Sequence, residues 1–163
     1  MGIEFTKATK EDISAAKEIY TYYVENSTAT FHTGEITDEI MENILYHQGS
    51  LYESFMIKEN NISLGYVLLA PYSTRQAYRR TAEVTIYVSP SAVARGIGSA
   101  AIDFIISKAK EKQIKVLLSL ICGENVPSIK LFEKFNFTKA AHLTNVGEKF
   151  GRLLDLVIYE KEL

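Results

Sequence analysis

The chain has 163 residues, 47% of them hydrophobic and 23% charged, with a formal net charge of −2 at pH 7; these are the proportions of a globular domain long enough to bury a core. Interleaved charge of slightly acidic sign excludes the basic face of a nucleic-acid binder, and no apolar run reaches the ~20 residues that cross a bilayer. A single cysteine, Cys122, excludes an internal disulfide, and the opening Met1-Gly-Ile-Glu-Phe lacks the apolar stretch of a signal peptide, so the expectation is one domain over residues 1–163 in the reducing cytoplasm.

Ile3 and Phe5 alternate with polar neighbours and predict a first strand over 3–8. Thr9, with Asp12 three residues on, is a weak capping box for a helix carrying Ile13, Ala16, Ile19, Tyr20 and Tyr23 at helical spacing to about Asn26. Thr37-Asp-Glu39 opens a second helix with acids at its positive end and Ile40, Ile44 and Leu45 as its apolar stripe. Residues 54–58 and 62–70 read as strands joined at Asn60-Asn61, which has hairpin chemistry. A further strand covers 78–88, and Ile102, Ile105, Ile106 and Ala109 mark one face of a helix ending near Lys112. Val116–Cys122 is nearly continuous apolar sequence, as in a buried central strand. Asn125 begins a helix with Pro127 in its first turn, and residues 137–143 and 153–159 are closing strands. The implied class is α/β, with a mixed sheet of six to seven strands and four helices.

The most informative stretch is Thr81-Ala-Glu-Val-Thr-Ile-Tyr-Val88 followed by Ala94-Arg-Gly-Ile-Gly-Ser99 and a helix. Alternation puts Thr81, Glu83, Thr85 and Tyr87 on one face of the strand and Ala82, Val84, Ile86 and Val88 on the other. A short glycine loop opening a helix leaves N–H groups free for phosphate, with the helix dipole adding positive charge. An acid and an anion cradle so close in sequence predict an enzyme; taken bare, they are a solvated strand carboxylate and an ordinary turn.

Four blocks carry a resemblance: Asn26-Ser-Thr-Ala-Thr-Phe31; Arg75-Gln-Ala-Tyr-Arg-Arg-Thr-Ala-Glu83; Asn125-Val-Pro-Ser-Ile-Lys-Leu131; and Val146-Gly-Glu-Lys-Phe-Gly-Arg152 with Asp155. In that order, over elements of those types, they resemble the GNAT acyl-CoA N-acyltransferases, and within them the phosphinothricin and methionine sulfoximine N-acetyltransferase group. The resemblance implies a GNAT fold, acetyl-CoA as cosubstrate, a small-molecule amine as acceptor and a homodimer. It implies Glu83 as the base that deprotonates the amine. It places Ala94, Arg95, Gly96, Ile97, Gly98 and Ser99 on the coenzyme pyrophosphate, the strand end Ile86, Tyr87 and Val88 along the pantetheine, and Asn125 on the coenzyme. Phe31, Arg75, Tyr78 and Lys149 fall where such enzymes build the acceptor pocket, with Arg75 suited to an anionic group and the 146–152 segment as a covering loop.

Three positions depart from the pattern. Ser73 stands where a second basic residue is usual two positions before Arg75, which leaves Arg79 and Arg80 to compensate or to lie solvated at the strand edge. Val93 stands where a Gln or Arg is usual, which leaves Arg95 as the loop's cation. Phe132 stands where relatives carry a tyrosine or histidine that protonates the leaving thiolate, and Phe132 cannot donate a proton; Tyr87, Tyr78 and water stay open for that role. His32, His47 and His142 show no ligand spacing, so no metal is expected. Besides small-molecule acetylation, two readings remain: acetylation of peptide N-termini, and an acyl-CoA sensor without catalysis.

Overall fold

The computed structural model describes residues 2–47 and 49–163. Its elements run β1 (Glu4–Lys7), α1 (Ile13–Asn26), α2 (Asp38–Leu45), β2 (Ser54–Glu59), β3 (Ile62–Pro71), β4 (Thr81–Val88), α3 (Ile97–Glu111), β5 (Val116–Cys122), α4 (Val126–Lys134), β6 (Thr138–Lys149) and β7 (Arg152–Glu162). The seven strands lie in the order β1-β2-β3-β4-β5-β7-β6. All neighbouring pairs are antiparallel except β4 and β5, which are parallel and joined through α3, as a parallel connection requires. The order of elements is that read from the sequence.

Local chemistry sets the boundaries. Ahead of α1, a short 3₁₀ turn over Lys10–Asp12 is tied back by Asp12, whose carboxylate accepts the Thr9 N–H (2.9 Å) and hydroxyl (3.1 Å) and pairs with Lys58 at 2.7 Å. Thr37 caps α2 by accepting from the Ile40 N–H at 3.2 Å. Asn60 and Asn61 both take positive φ (50° and 64°), the conformation that a two-residue hairpin turn demands and asparagine tolerates. The strand read over 78–88 begins only at Thr81, because Gln76–Tyr78 forms a 3₁₀ turn ahead of it. The 146–152 segment is not a loop. Strand β6 continues through Lys149, and Phe150 (φ 54°) and Gly151 (φ 70°) make a tight hairpin into β7.

Both sheet faces are covered, so alternate residues of the central strands belong to different cores. Phe55, Ile57, Val67, Leu69, Ala82 and Val84 pack with the inward face of α3, with Leu117 and Ile121 of β5, and with Phe132 of α4. Met56, Tyr66 and Leu68 face the other way, against α1 and α2. Strand β6 is the outer edge and is exposed along most of its length.

Candidate active site

Strand β4 is laddered to β3 along its whole length, from Pro71↔Ala82 to Gly65↔Val88. Its pairing with β5 stops after three rungs, the last being Glu83↔Leu118, while β5 continues beside β7 as far as Cys122↔Leu156. Beyond Glu83 the sheet therefore forks. The Ser89 N–H donates to Leu64 O at 2.7 Å, and antiparallel alternation from that rung turns the N–H and C=O groups of Ile86 and Val88 away from β3, into the gap. The Tyr23 hydroxyl reaches into this gap and donates to Val88 O at 2.5 Å. Apart from that bond, β4 here offers a short stretch of edge with no neighbouring strand, the N–H and C=O of Ile86 and the N–H of Val88, on which an extended chain could pair.

A cleft of about 870 Å³ occupies the fork. Its walls bring together Glu83, Ile86, Tyr87 and Val88 of β4, the loop residues Ala94, Gly96, Ile97, Gly98 and Ser99, and Asn125 at the start of α4. Phe31, from the loop after α1, lines the same cleft. The Glu83 carboxylate is half-buried and makes no hydrogen bond or ion pair among the described residues, and burial raises its pKa above the ordinary glutamate value. A carboxyl without a cation to hold it ionised, open to a cleft, is suited to taking up a proton.

The glycine loop has the geometry of an anion cradle. Gly96 caps α3 in a left-handed conformation (φ 79°), and Ala94 two residues earlier does the same at φ 63°. The first-turn N–H groups of Ile97, Gly98 and Ser99 have no carbonyl of their own helix to bond and open into the cleft. Gly98 is needed for a second reason: a Cβ there would lie 2.9 Å from Leu131 Cδ2 of α4, so the glycine sets how closely the helices flanking the cleft approach. Asn125 accepts the Ser128 N–H at 3.3 Å as the α4 cap while facing the same space.

Several residues expected at the site stand elsewhere. Arg95 does not line the cleft, because its guanidinium contacts both Glu59 oxygens (2.8 and 2.9 Å) at the β2–β3 hairpin. Tyr87 contributes no free backbone, since its N–H and C=O face β3; its hydroxyl donates to Ala29 O at 3.2 Å, and burial holds its pKa well above the ordinary tyrosine value. Arg75 and Tyr78 are exposed on the β3–β4 connection and outside the cleft lining, where Tyr78 sits edge-on to Tyr72 with centroids 5.2 Å apart. The 3₁₀ turn carries them clear of the fork. Phe132 is buried edge-on against Phe137, with centroids 5.0 Å apart, and lines the cleft as an apolar wall.

Lys149 is the largest departure. Its side chain is not open to an acceptor: the residue is 3% exposed, and Nζ donates to Ser27 O (2.7 Å) and Thr30 O (2.9 Å), with Tyr23 O farther off at 3.4 Å. Burial draws its pKa below the ordinary lysine value. The ammonium straps the loop after α1 to the β6–β7 hairpin. Four other contacts hold the same loop. Thr28 donates to Glu124 at 2.6 Å, Glu124 is itself gripped by both terminal nitrogens of Arg152 at 2.9 Å, and Tyr20 bonds Thr30 at 2.6 Å. Tyr87 holds Ala29, and the Phe31 ring rests on Gly147, where a Cβ would be 2.7 Å from the ring. Phe31 is thus presented to the cleft by a tightly fixed loop.

Nothing in the residue pattern marks Tyr20, Tyr23, Ser119 and Leu120 as cleft residues. Leu120, read as buried core, is 37% exposed because β4 has left its side of β5. Among the described residues there is no group of three potential metal ligands and no helix long and apolar enough to span a membrane.

Comparison with known proteins agrees with this geometry. The acetyltransferase (GNAT) domain family matches residues 6–158. The chain is 30% identical over 164 residues to the L-methionine sulfoximine/L-methionine sulfone acetyltransferase of Salmonella typhimurium, covering 100% of this chain and 95% of that protein. It is 29% identical to the phosphinothricin N-acetyltransferase of Streptomyces coelicolor, covering 99% and 96%. Its fold matches the Sinorhizobium meliloti phosphinothricin acetyltransferase solved with acetyl-CoA at a TM-score of 0.93, with 26% identity over 100% of this chain and 89% of the other. A forked sheet with a helix-start anion cradle beside one unpaired acid, matched by a family model over nearly the whole chain, places this protein in the GNAT acetyltransferase family, as an enzyme whose acetyl donor is acetyl-CoA.

Proposed function

We propose that the protein transfers the acetyl group of acetyl-CoA directly to the α-amine of a small amino-acid-like substrate of the phosphinothricin or methionine sulfoximine type, with Glu83 as general base. The observation that carries this reading is the Glu83 carboxylate, unpartnered and half-buried at the point where the sheet opens, in one cleft with the anion cradle. The fit to the coenzyme is local and physical. The N–H groups at the α3 start suit a pyrophosphate, the unpaired edge of Ile86 and Val88 suits the amide-bearing pantetheine, and Asn125 stands beside both. Glu83 removes the proton that keeps an α-ammonium from attacking. Phe31 supplies an apolar wall on the acceptor side, and the strapped loop behind it favours a small acceptor over an extended peptide. Lys149 serves here as a fixed support, and Arg75 and Tyr78 stand too far outside the lining to carry the reading.

Four large apolar side chains, Leu143, Val146, Phe150 and Leu153, are 41–59% exposed on the β6–β7 hairpin. They support the proposal that the working form is a homodimer, and the single, buried thiol of Cys122 suits a reducing cytoplasm.

The test is thiol release from acetyl-CoA by wild type and Glu83→Gln, offered methionine sulfoximine, phosphinothricin, ordinary amino acids and a short peptide. Release with the first two, reduced by about 10²–10⁴-fold in the variant near neutral pH, is the expected result. Release with peptide alone moves the function to protein N-termini. Tight acetyl-CoA binding with no release from any acceptor leaves a sensor.

A further inference from the structure

Ser119 is the first β5 residue past the last β4–β5 rung, Glu83↔Leu118, and so sits at the vertex of the fork. The residue is 3% exposed, its side chain lines the cleft, and its hydroxyl makes no hydrogen bond among the described residues. Its oxygen keeps access to the cleft rather than being sealed in the core, so a hydroxyl unspent on the protein faces whatever ligand occupies the fork. Its orientation narrows the choice. Leu117 and Ile121, on the same face of β5, pack in the core beneath α3 and α4 with Val84 and Phe132. Glu83 and its partner Leu118 lie on the opposite face. The acid and the hydroxyl therefore flank the vertex from opposite sides of the sheet, with the hydroxyl on the side of the α3 cradle and Asn125. Phe132 of α4, which lines the same cleft, offers only an apolar ring. Tyr87 has already committed its hydroxyl to Ala29 O.

We infer that Ser119 is a catalytic residue that donates its O–H to the thioester sulfur as the carbon–sulfur bond breaks. This rests on the acetyl-transfer reading above. As nitrogen bonds to the acetyl carbon, the electron pair of the carbon–sulfur bond passes to sulfur. The Ser119 proton moves onto sulfur, and the surplus proton on nitrogen replaces it on the serine oxygen. The products are a neutral amide and a neutral thiol, with Ser119 unchanged.

The test separates this role from packing. In the Ser119→Ala variant, the melting temperature and the dissociation constant for acetyl-CoA are expected to stay near wild type, while kcat falls roughly ten- to a hundred-fold, the range for a hydrogen bond to a charged group. A second readout needs no acceptor. The thiol of bound coenzyme A, followed by thiolate absorbance against pH, should ionise about one to two pH units higher in the variant complex than in wild type, and desulfo-coenzyme A should bind both proteins equally. Restoring a hydroxyl from α4 with Phe132→Tyr should recover turnover in the Ser119→Ala background. Identical ionisation of the bound thiol in the two proteins overturns the assignment. A shifted thiol with no turnover on any acceptor leaves Ser119 in place and overturns the acceptor reading instead. Failure of wild type to bind coenzyme A overturns both.

Discussion

Replacing Lys149 with methionine tests whether the acceptor wall is held by one buried ammonium. Methionine fills nearly the same volume, so the change removes charge and hydrogen bonds without opening a cavity. The bonds lost are those to Ser27 O at 2.7 Å and Thr30 O at 2.9 Å; the contact to Tyr23 O at 3.4 Å is too long to count for much. Each charge-assisted bond is worth about 1.5–3 kcal/mol, or about 3–6 kcal/mol for the two, with the Thr30 loss at the upper end because its carbonyl stays buried while that of Ser27 regains water. Against this, the wild type bears the cost of burying an ammonium that has no counter-ion among the described residues, a few kcal/mol that methionine recovers. The net is about 2–3 kcal/mol of destabilisation, which for a chain of this length lowers Tm by roughly 4–12 °C. Because Phe31 hangs from the same loop, the KM for the acceptor should rise several-fold, with the KM for acetyl-CoA little changed. Lys149→Gln keeps two N–H donors and should recover part of both losses. Thermal melts monitored by circular dichroism, with steady-state kinetics on each substrate, decide the matter. A Lys149→Met protein melting within 2 °C of wild type, with unaltered acceptor KM, would refute the strap.

The pH profile offers a second check, because burial raises the Glu83 pKa. The acid limb of kcat/KM should lie above the ordinary carboxylate range, with activity falling as pH drops through it, and the limb should vanish in Glu83→Gln. A raised carboxyl pKa means the folded state holds the proton more tightly than the unfolded chain. Its contribution to stability is full below the unfolded pKa and is lost as pH rises through the folded one; denaturation of Glu83→Gln should lack that decline. Gly65→Ala places a Cβ 2.5 Å from Tyr87 O and 3.1 Å from Val88 Cα. Both are backbone atoms, so β3 and β4 must separate; the expected loss is about 2–4 kcal/mol in denaturant titrations, together with weaker acetyl-CoA binding. Ala94→Gly should do the reverse: relieving a left-handed alanine (φ 63°) is worth about 0.5–1 kcal/mol after the glycine's extra unfolded-state entropy. A lower Tm for Ala94→Gly would count against strain in the cradle loop.

What the sequence determined by itself is whatever depends on neighbours along the chain. The seven strands and four helices, the asparagine turn at 60–61, the Thr37 and Asn125 caps, and the glycine cradle before α3 all follow from periodicity and local backbone chemistry, which act over a few residues. Glu83 was legible as a candidate base for the same reason, since period-2 alternation fixes the face a strand residue occupies. The tertiary structure alone decided where the sheet forks, because strand separation depends on rungs between residues about 35 apart in sequence, Glu83 and Leu118. That separation exposes Leu120, frees the Ile86 and Val88 edges, and turns Ser119 from a small core residue into an unpartnered hydroxyl at the vertex. Lys149 shows the same division. The resemblance put it in a loop covering the acceptor pocket, but the continuation of β6 to the hairpin turns its charge onto three carbonyls more than 100 residues earlier. A long side chain takes the best acceptors within reach in space, and sequence spacing carries no record of that distance.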